Sequence, residues 1–155
     1  MVGRKEELEL LQRRWEQTKL GEGQVVLLSG EAGIGKSRLM QMAKDHVGAE
    51  PHVTITCRCS PFYQNSAFYP LIDHLQRFLK IGQTDTSEDK LAKLEQALGT
   101  RSFKSPEALS LFASLLSFAL PQDSPPLNLS PQKHKEKTLE SLIAWLYKEA
   151  EQQPV

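Results

Sequence analysis

The sequence predicts an α/β fold, with an incomplete parallel sheet in residues 1–60 and a mainly helical segment in residues 61–155 of the same domain. Three observations carry this expectation. Gln24 to Arg38 reads QVVLLSG-EAGIGKSR, a short apolar run (Val25, Val26, Leu27, Leu28), a glycine-punctuated turn and the start of a helix. His52 to Cys57 alternates apolar Val53, Ile55 and Cys57 with Thr54 and Thr56, rich in β-branched residues, as a second strand would. Beyond residue 61 every apolar repeat has helical spacing.

The first element is a helix over about Arg4 to Lys19. Leu8, Leu11 and Trp15 recur at i, i+3, i+7 among charges, and Gly21 and Gly23 end it. The first strand follows, and then Gly30-Glu-Ala-Gly-Ile-Gly35-Lys36-Ser37, which fits G-x-x-x-x-G-K-[ST], the phosphate-binding loop. The residue types match that chemistry. Gly30, Gly33 and Gly35 let the backbone fold closely around an anion, and its N–H groups form a nest at the positive end of a helix dipole. Lys36 brings an ammonium to the β/γ-phosphates, and Ser37 offers a hydroxyl to Mg²⁺. An amphipathic helix (Leu39, Met40, Ala43, Val47) follows, with Gly48 as its stop.

After the second strand comes SPFYQNSAFYP, whose rings (Phe62, Tyr63, Phe68, Tyr69) either line a ligand pocket or, the preferred reading, pack the loop onto the domain. Pro70 opens a helix carrying Leu71, Leu75, Phe78 and Leu79; Ser87 to Leu98 forms another, stopped by Gly99. Ser105-Pro106 starts a helix expected to run to Leu120, closed by Pro121, and Pro121 to Pro131 is an extended linker. Ser130-Pro131 starts the last helix, with Leu139, Leu142, Ile143, Leu146 and Ala150 as its apolar stripe. Its first turns carry Lys133, His134, Lys135 and Lys137, cations set against the dipole; a solvated face is preferred over a phosphate or acidic partner.

Nineteen basic residues balance nineteen acidic ones, which argues against a broad nucleic-acid surface. The charged N-terminus lacks the apolar core of a signal peptide, and the most apolar uncharged stretch, Ala108 to Leu120, is too short to span a bilayer; a cytoplasmic protein without membrane partners is expected. Cys57 and Cys59 form a C-x-C with only His52 nearby, and ordinary reduced thiols are the preferred reading over metal or redox roles. No apolar run after Arg58 ends in Asp or Glu, so the second carboxylate site that NTP hydrolysis requires is not visible. With its abrupt start inside a motif and its end at Gln153-Pro-Val155, the chain reads as a fragment.

Val2-Gly3-Arg4, then KEELELL, then GEAGIGKSRL resembles the N-terminal part of the AAA/STAND group of signal-transduction P-loop ATPases. Two further stretches, CRCSPFYQNSAFYPLIDHLQRFL (Cys57 to Leu79) and PPLNLSPQKHKEKTLESL (Pro125 to Leu142), are most similar to the ATPase module of bacterial proteins that join a class III adenylate/guanylate cyclase domain to TPR-type repeats. The resemblance implies ATP and Mg²⁺ as cofactors. Gly30, Glu31, Ala32, Gly33, Ile34, Gly35, Lys36, Ser37 and Arg38 would hold phosphate, with Lys36 as the catalytic candidate and Ser37 on the metal, while Gly3 and Arg4 sit by the base. It further implies a nucleotide-dependent switch, other domains of a parent protein as partners, and nucleotide-dependent self-association. Hydrolysis is expected of the intact protein and not of this piece, whose two strands would lack the neighbours that lie between them in the family's sheet and leave it marginally stable. Two alternatives are a non-catalytic nucleotide module that docks through Ser105–Leu120 and Ser130–Gln152, and a P-loop kinase.

Overall fold

The computed structural model describes residues 4–48, 50–99, 103, 105–121 and 127–155. Among the described residues there are six α-helices: α1 (Lys5–Lys19), α2 (Lys36–Val47), α3 (Tyr69–Phe78), α4 (Ser87–Gly99), α5 (Pro106–Leu115) and α6 (Pro131–Ala150), with a 3₁₀ turn at Pro61–Tyr63. Two compact units result, Met1–Val53 with Gln153–Val155, and Thr54–Gln152.

The expected α/β fold and its parallel sheet are not found: no described residue lies in a strand. The physical reason is pairing. A strand exists only as part of a backbone ladder, and neither Val25–Leu28 nor His52–Cys57 meets another such segment among the described residues. Val25 is 98% exposed and Leu27 88%, so the side-chain pattern of a buried strand is present without the neighbour that would bury it. From the second segment, Val53 N–H donates across the first unit to Pro154 O at 2.9 Å, a single bond and not a ladder.

In the first unit α1 and α2 pack with one buried side chain, Leu39; α1 buries none. Polar contacts along their flanks supplement it. Lys19 Nζ pairs with Glu50 at 2.8 Å, Trp15 Nε1 donates to the same carboxylate at 3.4 Å, and Gln12 meets His46 at 3.3 Å.

The second unit has a true core. Leu75, Leu79, Leu91, Leu94, Leu98, Phe112, Ala113, Leu116, Leu142 and Trp145 form one cluster, with α5 packed against both α4 and α6. Trp145 meets Phe112 edge-on at 6.4 Å, an arrangement aromatic quadrupoles favour. Half of α5 is buried, which accounts for its run of uncharged residues after Glu107; no described helix is long and apolar enough to cross a membrane.

Capping sets most boundaries. Ser105 and Ser130 accept from the N–H groups of Ala108 and Lys133, each with proline next. α4 opens with a reciprocal box in which Asp89 N–H donates to Thr86 Oγ1 and Thr86 N–H to Asp89 Oδ2. α5 ends at Leu115, short of the expected Leu120. Ser117 takes φ 58°, its N–H donates to Ser114 O, and Phe118 N–H reaches back to Ala113 O at 2.8 Å. This is a Schellman stop built without glycine, and Phe118 and Leu120 turn back onto the core. Lys80 ends α3 the same way at φ 52°, with its carbonyl held by Lys93 Nζ. Residues 122–126 of the expected linker lie outside the described residues.

The aromatic loop divides. Phe68 packs against the core and Tyr63 stacks on Tyr69 at 3.8 Å, but Phe62 is 91% exposed and packs the loop onto nothing. Lys137, in the cationic first turns of α6, pairs with Glu107 of α5 at 2.6 Å.

Candidate nucleotide site

The site is built by the backbone at the start of α2. Gly33 and Gly35 take φ 81° and 97°, left-handed values that any L side chain would strain, and Gly35 is the N-cap from which the helix springs. A Cβ on Gly30 would stand 3.1 Å from Ile34 Cγ2, a tight approach that the Ile34 side chain would have to relieve. Ile34 N–H closes the turn onto Glu31 O at 3.4 Å, and Leu39 N–H begins the helical ladder on Gly35 O. Lys36 Nζ donates to Gly30 O and Glu31 O, both at 2.7 Å, which fixes the ammonium at the mouth of the loop. Ser37 and Arg38 occupy the exposed first turn of α2, beside exposed Glu31, Ala32 and Gly33. That turn contains no acidic residue, so the positive end of the helix dipole is reinforced by Lys36 and Arg38.

Arg4 is the N-cap of α1. Its Nη2 donates to Ile34 O at 3.1 Å and its Nη1 to Glu7 Oε1 at 2.8 Å. Glu7 stands in the first turn of α1, where its own backbone N–H, together with the Arg4 guanidinium, holds its carboxyl below the usual range. Arg4, Glu7, Ser29, Ile34, Gly35 and Lys36, with apolar Leu27, Leu28 and Leu39, line a cavity of about 320 Å³. The sequence resemblance implies Arg4 beside the base; the structure places its guanidinium on the loop backbone at Ile34 O. Gly3 lies outside the described residues. Glu7 was not visible from the sequence, because one glutamate in a charged first helical turn is indistinguishable from an ordinary dipole-complementing residue.

The donor set suits a phosphorylated ligand: left-handed glycines, a helix N-terminus and an ammonium, backed by apolar walls. Lys36 Nζ and the loop amides would hold phosphate, and the Ser37 hydroxyl would supply a protein ligand to Mg²⁺, which would offset phosphate charge. Among the described residues no group of three His, Cys, Asp or Glu is placed to hold a metal alone. A larger open groove of about 880 Å³ in the second unit, between the end of α4 and the start of α5, is lined among the described residues mainly by apolar side chains, with Glu95, Gln96 and Ser105. Cys57 and Cys59 are free and exposed, and partial burial pushes the Cys57 thiol up, away from reactivity.

A glycine loop closed around a lysine at a helix N-terminus is the geometry expected of a phosphate-binding loop. The chain belongs to the AAA ATPase domain family, whose pattern it matches over residues 1–154; this is a nucleotide-binding family whose cofactors are nucleotide and, typically, Mg²⁺. It is 30% identical over 118 residues to an uncharacterized protein of Rhizobium meliloti (strain 1021), a match covering 75% of this chain and 11% of that relative. The chain therefore corresponds to a small part of the relative's length. No solved structure matches it.

Proposed function

We propose that the chain is the ATP-binding part of a signal-transduction ATPase of the STAND type, a nucleotide-dependent switch within a larger regulatory protein linked to a cyclase domain and TPR-type repeats. The observation that carries the nucleotide role is the loop itself: Lys36, directly after the left-handed N-cap Gly35 that opens α2, holds its Nζ 2.7 Å from two loop carbonyls. In this reading Lys36 exchanges those carbonyls for β/γ-phosphate oxygens, the amides of Glu31 to Gly35 cradle the phosphate, and Ser37 meets Mg²⁺. Mg²⁺ offsets phosphate charge when bound. The switch and its cyclase link rest on the sequence resemblance at Cys57–Leu79 and Pro125–Leu142. Nucleotide-dependent self-association belongs to the same proposal.

The test is Lys36→Ala, with Mg²⁺·ATP binding followed by calorimetry. Loss of tight binding is expected, and an unchanged affinity overturns the role of the lysine. ATP turnover by the intact protein separates a hydrolysing switch from a nucleotide module without chemistry.

A further inference from the structure

We infer that Glu7 is a positioning residue for the phosphate loop: it orients Arg4 so that the guanidinium clamps the Ile34 carbonyl between the two left-handed glycines. The nucleotide consequence of this clamp rests on the function proposed above; the clamp itself does not.

Ile34 is the only residue between Gly33 and Gly35, so the plane of the Ile34–Gly35 peptide sets both the φ of the N-cap and the aim of the Gly35 N–H. Inside the loop that peptide unit is weakly restrained, since the Ile34 N–H bond to Glu31 O is long, at 3.4 Å. The Ile34 carbonyl is held instead from α1, by Arg4 Nη2 at 3.1 Å. A half-exposed arginine samples many rotamers unless a second partner fixes its planar fork, and Glu7 Oε1 at 2.8 Å provides that partner from one helical turn along. Lys36 restrains the other end of the loop through Gly30 O and Glu31 O. The loop is therefore tied at both ends by cations, and one of the two cations has a dedicated carboxylate.

Because Glu7 also lines the cavity, the competing account is that its carboxylate touches the nucleotide directly. A double-mutant cycle on the whole chain separates the two accounts, with Mg²⁺·ATPγS as the probe. Glu7→Ala and Arg4→Ala should each weaken binding about fivefold. The double variant should be no weaker than either single one, and Glu7→Gln, which keeps an acceptor oxygen for Arg4, should stay within about twofold. Losses that multiply to about 25-fold, or a Glu7→Ala variant with wild-type affinity, overturn the assignment.

A second readout needs no nucleotide. Millisecond hydrogen–deuterium exchange of the 31–38 peptide should accelerate equally in Glu7→Ala and Arg4→Ala, while the α5 peptide keeps its wild-type rate and shows that the fold is retained. Unaltered loop exchange in Glu7→Ala overturns the clamp. Accelerated exchange in a protein that takes up no ATPγS upholds the clamp and overturns the nucleotide reading.

Discussion

All the buried apolar side chains except Leu39 lie in Thr54–Gln152; the unit that carries the phosphate loop holds that one alone among the described residues. The second unit is stabilised by apolar area, with α5 at its centre. The first is shaped by backbone conformation and by exposed polar contacts: left-handed glycines, a lysine on two carbonyls and an arginine–glutamate clamp. Such contacts contribute little to stability where solvent screens them, but they aim donors accurately. The loop's shape and the fold's stability are carried by different residues, so substitutions should affect one without the other.

Four measurements test whether stability and loop shape are separable. Phe112→Ala removes the ring at the centre of the second unit and should cost about 3–5 kcal/mol in denaturant unfolding; a loss of about 1 kcal/mol would mean the aromatic cluster is not the core. Leu39→Ala, the corresponding truncation in the first unit, should cost about 2 kcal/mol, at the low end for a buried leucine because its surroundings are open. If it matches Phe112→Ala, the contrast between the units fails.

The third is a pH effect. Burial, and after it the Arg77 charge, lowers the pKa of His74 from its ordinary 6.5, against an opposing pull from Asp73. The folded chain therefore binds the proton less readily than the unfolded one. The contribution is full above pH 6.5 and is lost as pH falls through the depressed folded value. The melting temperature should fall on acidification below 6.5, and His74→Phe, beside the stacked ring of Phe78, should flatten that slope. The smallest effect is expected from Val25→Thr, within about 0.5 kcal/mol of wild type, since the side chain is almost wholly exposed; a larger loss would reveal a partner for the apolar run.

What the sequence made legible follows the range of the interaction concerned. Ser105-Pro106, Ser130-Pro131 and Pro70 announce helix starts because a cap is a matter of three or four adjacent residues. The positive φ of Gly33 and Gly35 is equally local. The end of α5 was not legible, since Ser117 enters the left-handed region only because Phe118 gains a place on the core. The sheet was misread for a related reason. Val25–Leu28 and His52–Cys57 have the composition of strands, but pairing is a property of two segments, and alternation in one cannot supply the other. Of the site, the loop was readable from spacing, whereas Glu7 became visible only once Arg4 was seen to face both it and Ile34.

The central position of α5 has a consequence for proteostasis. Ala108 to Leu120 carries no charge, and what makes it a good core is what makes it adhesive when the second unit opens. Glu107 on one side and Pro121 on the other stand as gatekeepers at its borders, with none between. During synthesis this stretch leaves the ribosome before α6 exists to cover it. It is the segment that a chaperone would bind first, and the one from which aggregates of a destabilised variant would grow.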